Sequence, residues 1–155
     1  MGREIERKFL LRSEAWRQQV GHSTRLTQGY LLRGSTSAIR VRISGDAAEL
    51  NIKHTVDGIN RLEYEYAIPI DDAREILDQV AARPLIDKTR HHVHHAGHLW
   101  EIDEFHGENA GLVLAEIELT HEHEDFARPD WVGEEVSDDA RYYNSNLSKH
   151  PYTRW

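Results

Sequence analysis

The chain has 155 residues, 27 acidic and 19 basic, for a formal net charge of −8, and it has no cysteine. That length favours one domain, residues 1–155, with a core that needs no staples, and the lack of cysteine excludes disulfides and thiolate metal sites. A protein that only grips nucleic acid is usually basic, so an anionic ligand must be held here by a local cluster of cations or through a metal. No apolar run approaches the roughly 20 residues of a membrane span. The charged stretch Arg3 to Lys8 is unlike a secretory leader, and a cytoplasmic setting fits these features.

In chain order, residues 3–11 alternate with the period of a strand. Ser13 is placed to cap a short helix over 14–20, and residues 28–32 read as a short strand. Residues 37–44 and 49–55 form two more strands around the turn Ser44-Gly45-Asp46. Another strand, 60–69, follows Asp57-Gly58. Residues 71–82 carry Ala73, Ile76, Leu77 and Val80 at helical spacing, with Asp71 or Asp72 as cap and Pro84 beyond the end. Strands are expected at 86–95, 98–105 and 112–120, and a short helix within 137–148.

The charged residues fall on one side of almost every strand. Glu4, Glu6 and Lys8 share a face opposite Ile5 and Phe9. Arg40 and Arg42 oppose Ile39, Val41 and Ile43. Asn51 and Lys53 oppose Leu50 and Ile52. Arg61, Glu63 and Glu65 oppose Leu62, Tyr64 and Tyr66. Lys88 pairs with Arg90, Glu101 with Asp103, and Glu116 with Glu118. Eight carboxylates and seven cations thus lie on faces whose reverse sides are apolar.

Two arrangements satisfy this pattern. An open sheet can rest its apolar face on helices and present cross-strand ion pairs to water. A closed barrel with helices outside would instead turn the charges inward. Such a lumen must be hydrated and its charges paired or ligated, because full burial costs several kcal/mol per ion against a net stability of roughly 5–15 kcal/mol.

The ordered set of motifs distinguishes them. Glu4-x-Glu6-x-Lys8 near the N-terminus, then Arg40-x-Arg42, Lys53, Arg61-x-Glu63-x-Glu65, Lys88-x-Arg90 and Glu116-x-Glu118, resembles the CYTH superfamily, the triphosphate tunnel metalloenzymes. Trp100 to Asp103, Glu108 to Leu112 and Tyr142 to Leu147 resemble its small bacterial members, so the likeness spans the chain. Asn51 departs from the threonine common at that place. The resemblance implies an α+β fold: a closed antiparallel barrel of about eight strands, forming a charged tunnel, with helices packed outside.

It further implies that Lys8, Arg40, Arg42, Lys53, Arg61, Lys88 and Arg90 grip successive phosphates of a triphosphate. Arginine offers bidentate geometry for this task. Carboxylates repel phosphate unless a hard cation stands between them, so Mg²⁺ or Mn²⁺ is expected. Its ligands are sought among Glu4, Glu6, Glu63, Glu65, Glu116 and Glu118, with Glu101 and Asp103 ranking behind. Glu4, Glu6, Lys8 and Lys88 are the catalytic candidates, Lys88 as a proton-transfer group if its pKa is lowered.

The expected activity is metal-dependent hydrolysis of inorganic triphosphate. Adenylyl cyclase activity, other triphosphates (thiamine triphosphate, nucleotides, RNA 5′ ends) and a non-catalytic polyphosphate-binding module are the alternatives. Membrane partners are not expected, and the acidic net charge weighs against nucleic acid. A homodimer could cover any apolar barrel surface left bare. His91, His92, His94, His95 and His98 cluster, but adjacent pairs point to opposite faces of a strand, which suits a solvated hairpin better than a metal site. Tyr142, Tyr143 and Leu147 read as a plug or lid anchor, Tyr30 as a packing residue in preference to a tunnel gate, and Trp131 and Trp155 as packing residues, not a base-stacking platform.

Overall fold

A computed structural model describes residues 2–155. Nine strands form one antiparallel sheet: β1 (Gly2–Leu11), β2 (His22–Arg33), β3 (Ser37–Ser44), β4 (Ala47–Asp57), β5 (Asn60–Ala67), β6 (Ile86–His95), β7 (His98–Phe105), β8 (Val113–Glu118) and β9 (Val132–Glu135). Eight of them close into a barrel, because β1 pairs with β5 along one edge (Glu4 opposite Arg61) and with β8 along the other (Glu6 opposite Glu118). Where β5 ends, β9 takes over as the neighbour of β1, opposite Phe9 and Leu11.

Turn chemistry sets several of these pairings. Strands β6 and β7 are joined by Ala96 (φ 48°) and Gly97 (φ 82°), a two-residue hairpin with both centres in the left-handed region. Strands β3 and β4 are joined at Gly45 (φ 60°), which fixes Ser44 opposite Ala47.

The outside is covered less by helices than the sequence suggests. Among the described residues, α1 (Ile70–Gln79) is the only α-helix longer than about one turn. It lays Ala73 and Leu77 against Val41 and Ala48 of β3 and β4. The expected helix at 14–20 is a five-residue 3₁₀ segment, Ala15–Gln19; the Ser13 hydroxyl accepts from the Ala15 N–H. Its Trp16 joins Phe9, Trp100, Ile117 and Trp131 in a core that coats the outer face of β1, β6, β7 and β8. Loop residues, above all Phe126 and Trp131, do there what a helix does over β3 and β4.

Other boundaries also differ. Helix α1 starts after Pro69, which takes the N-cap position, so Asp71 and Asp72 fall in the first turn, where they complement the helix dipole. Strand β2 runs from His22, well before residue 28, because its outward side chains, such as Arg25 paired with Asp87, are polar too and hide the alternation. Strand β9 was not foreseen: four residues with a glycine carry too little periodicity to be seen in the sequence.

One end of the lumen is apolar. Ile86, Phe105, Leu112, Leu114 and Tyr30 pack there against Val136, Tyr142 and Leu147 of the C-terminal tail, which contains the one-turn helix α2 (Asn144–Leu147). The tail is therefore a plug, as its aromatic residues suggest. Trp131 is buried and Trp155 lies on Tyr142 and Tyr152 at the surface.

Gly29 lets α1 approach β2. A Cβ there would lie 2.7 Å from the Ala81 Cβ and 2.8 Å from methyl groups of Leu77 and Leu85. Since the Ala81 Cβ cannot swing aside, Gly29→Ala should destabilise the fold by about 1–3 kcal/mol. A denaturation midpoint equal to that of the parent protein would contradict this close packing.

Candidate active site

The polar part of the lumen is a cavity of about 370 Å³, lined by seven cations and eight carboxylates. All seven expected cations line it, as do Glu4, Glu6, Glu63, Glu65, Glu116 and Glu118. The period of two puts them there: along each strand, alternate residues enter the lumen while their apolar neighbours face the outer cores.

The charges are not mixed evenly. On one side Asp103, with no exposed surface, receives Arg90 through two guanidinium bonds of 2.8 and 2.9 Å and Lys88 Nζ at 2.7 Å. Burial alone would raise the Asp103 carboxyl, but Arg90 and Lys88 overcome that and hold it at about 2. Burial pulls the Lys88 ammonium down to about 7, helped by Arg90 and Arg42 and opposed by Asp103. Asp103, which the sequence ranks behind the other acids, is thus the strut beneath two of the cations. Glu116 is likewise spoken for. Burial disfavours its charge, yet Lys8 (3.4 Å) and Arg90 (3.6 Å) hold it well below the ordinary carboxylate range.

The acids at the other side lack such compensation. Burial pushes Glu6 up to about 7, and Glu116 and Glu4 push the same way. Glu118, exposed at the cavity's edge, is also raised, by partial burial and by Glu4, Glu6, Glu63 and Glu101. Glu4 is raised by burial and by its hydrogen bond with Glu63, although Lys53 bridges the two at 3.0 and 3.2 Å. Among the described residues, neither Glu6 nor Glu118 has an ion-pair partner. Glu65 is exposed, opposite Asn51, and stands apart from this group.

Lys53 sits within this acidic group, and the other cations line the rest of the cavity. Arg40 is buried, and Arg42 has a single long ion pair, 3.8 Å to Glu49. The guanidinium carbon of Arg61 lies 5.2 Å from the centre of the Tyr143 ring, and Lys8 Nζ lies 5.8 Å from the same centre. Asn144 Oδ1 accepts from both Lys88 Nζ and Gln28 Nε2, each at 3.0 Å. Gln28, Glu49 and Asn144 are lumen residues that the motif pattern does not single out. Gln28 becomes visible once β2 is recognised as a full strand, since it is in phase with Tyr30 and opposite Arg42.

The histidines behave as a hairpin. His91 packs on Trp16 and bonds Glu104 outside, while His92 turns to Glu101. Among the described residues, no three acidic or imidazole groups converge into a preformed metal cage.

The geometry defines a class: a closed β-barrel whose lumen sets a row of cations against an uncompensated acidic cluster. The CYTH domain model matches residues 2–151, and the chain belongs to that family. It is 47% identical over 152 residues (98% of this chain, 97% of the other) to an inorganic triphosphatase of Acetivibrio thermocellus. It is 34% identical to one of Nitrosomonas europaea, covering 94% of this chain and 96% of that one. Among solved structures it resembles the inorganic triphosphatase NE1496, with a TM-score of 0.67 and 32% identity, covering 94% and 93% of the two chains.

The Glu6 shift makes stability depend on pH. Its folded pKa of about 7 lies above the ordinary 4.5, so its contribution is full below about pH 4.5 and is lost as pH rises through 7. Without divalent cations, Glu6→Gln should therefore become the more stable protein above pH 7, by on the order of 2 kcal/mol. Parallel thermal melts from pH 5 to 8 check this; a constant offset between the two proteins would contradict it.

Proposed function

We propose that residues 1–155 act as a single tunnel domain that hydrolyses inorganic triphosphate to pyrophosphate and phosphate with Mg²⁺ or Mn²⁺. The observation that carries this is the division of one lumen into a cation row and an acidic cluster whose members resist ionisation. The names of the two curated relatives support the substrate.

The donor set fits a hard divalent cation. Glu4, Glu6 and Glu118 offer oxygen ligands, and burial and neighbouring carboxylates raise their pKa values despite Lys53 near Glu4 and Glu6. Glu63 and Glu116 adjoin them through Lys53 and Lys8. Glu65 lies further out and is assigned the outermost place in the set. Mg²⁺ usually keeps several waters and takes only one or two carboxylates plus phosphate oxygens, so a preformed cage is not required. When bound, such an ion neutralises acids and phosphate oxygens together and makes the terminal phosphorus more electrophilic.

The protein's own residues do the rest. Arg40, Arg42 and Lys53 lie along adjacent strands β3 and β4, and Lys8, Arg61 and Arg90 enter from other strands. Together they hold successive phosphates and stabilise the charge that grows on the leaving pyrophosphate. Water forms the new P–O bond as the bond to the bridging oxygen breaks; the electron pair stays with pyrophosphate, and the water's proton passes to an oxygen of the released phosphate or to solvent, from which Lys88 is reprotonated. Lys88, at about 7, exchanges a proton near neutral pH, and we assign it the proton for the bridging oxygen.

A panel of inorganic triphosphate, ATP, thiamine triphosphate, RNA 5′-triphosphate and longer polyphosphate, with each metal, tests this function. Phosphate release should be fastest from inorganic triphosphate and should vanish with a chelator. Cyclic AMP from ATP would favour the cyclase alternative, and tight binding without turnover a binding module. Glu6→Gln and Glu118→Gln should each lower metal-dependent turnover roughly 100-fold; full activity in both would refute the metal assignment. Because a protonated Glu6 cannot ligate, Mg²⁺ affinity should fall about tenfold per pH unit below 7 and level off above it. Calorimetric titrations across that range read the slope.

A further inference from the structure

Two arginines of the lumen are oriented by side-chain amides where a carboxylate would ordinarily stand. Asn51 Oδ1 accepts from Arg40 Nε at 3.4 Å, and Gln28 Oε1 accepts from Arg42 Nε at 2.9 Å. Gln28 has no exposed surface and Asn51 is 1% exposed. Both amide orientations are fixed by their partners. Gln28 Nε2 donates to Asn144 Oδ1, which leaves its oxygen for Arg42. Asn51 turns its oxygen to Arg40, and its Nδ2 is buried without a hydrogen-bond partner.

Stability alone does not explain this choice. An unpartnered buried amide N–H is destabilising, and a buried guanidinium favours an ionised acceptor over a neutral one. Aspartate at position 51 would remove the orphan donor and pair with Arg40 in the same geometry. Among the described residues, Arg40 has no carboxylate within ion-pair distance, and Arg42 has only the 3.8 Å contact with Glu49. Burial, Arg40 and Arg90 press the Arg42 pKa down to about 10, as expected of positive charge gathered without local neutralisation.

We propose that Gln28 and Asn51 are positioning residues for a phosphate chain: neutral acceptors that aim Arg42 and Arg40 into the lumen while leaving their charge for the ligand. Asn144 supports the first of them by holding its amide in the required orientation. This rests on the phosphate-chain function above and deepens it, because the substrate supplies the counter-charge that the protein withholds.

The isosteric variants Gln28→Glu and Asn51→Asp test the proposal. Each keeps an acceptor for its arginine and adds one negative charge. Inorganic triphosphate should bind each variant roughly tenfold more weakly by calorimetry at low salt, with a shallower dependence on ionic strength. The loss should appear in KM more than in kcat, and the ligand-free melting temperature of Asn51→Asp, which gives up no hydrogen bond, should hold or rise. A role confined to packing would leave binding unchanged or lower melting and binding together. Triphosphate affinity within twofold of the parent for Asn51→Asp overturns the proposal. That variant decides alone if Gln28→Glu does not fold, since it gives up no hydrogen bond. Triphosphate binding without turnover in the parent would refute the hydrolase function and leave this inference standing, whereas no binding by the parent overturns it.

Discussion

Closure of the barrel between β1 and β5 is the constraint on which everything else depends. An open sheet could leave its charged face in bulk water. Closing it turns that face into a narrow lumen, where each ion has lost much of its hydration and must find a partner. The interior is organised around how each charge meets that demand. Asp103 and Glu116 are satisfied by lysine and arginine. Glu6 and Glu118 are not, and their raised pKa values express the deficit.

This uneven neutralisation links fold to chemistry. A lumen with every ion paired would be stable and inert. Here the outer cores of Trp100, Trp131, Val41 and Leu77 supply the burial that lets the barrel tolerate an incompletely paired interior. In the function proposed above, Glu6 and Glu118 serve a hard cation, and Arg40 and Arg42 a phosphate chain. The tail adds a boundary: its apolar residues close one end of the barrel, while Asn144 reaches into the polar section.

Much of this was legible in the sequence because a strand's period of two is a local property. Glu4, Glu6 and Lys8 share a face whatever surrounds them, and so do Arg40 and Arg42. Strands β3, β6 and β7 have the boundaries that their alternation and turns suggest. Where both faces are polar, as in the first half of β2, or where a strand is four residues long, as in β9, the local signal fails and pairing with neighbours decides. The outer cover escapes the sequence for a related reason: Trp16 lies in a short 3₁₀ segment and Phe126 and Trp131 in irregular ones, all too short or aperiodic to signal the surface they bury.

The sequence by itself determined which residues of each recognised strand share a face and the chemical types on that face, since alternation and residue identity need no distant partner. Only the tertiary structure decided which charges neutralise one another. Lys53 is 49 residues from Glu4 and Gln28 is 116 from Asn144, and such pairings arise from barrel closure and tail docking, which no local pattern encodes. Glu116 and Glu118 are alike in sequence spacing. In the folded protein one is held well below the ordinary range by Lys8 and Arg90, and the other is raised at the cavity's edge among carboxylates, because a carboxylate's pKa is set by the charges and solvent around it in space.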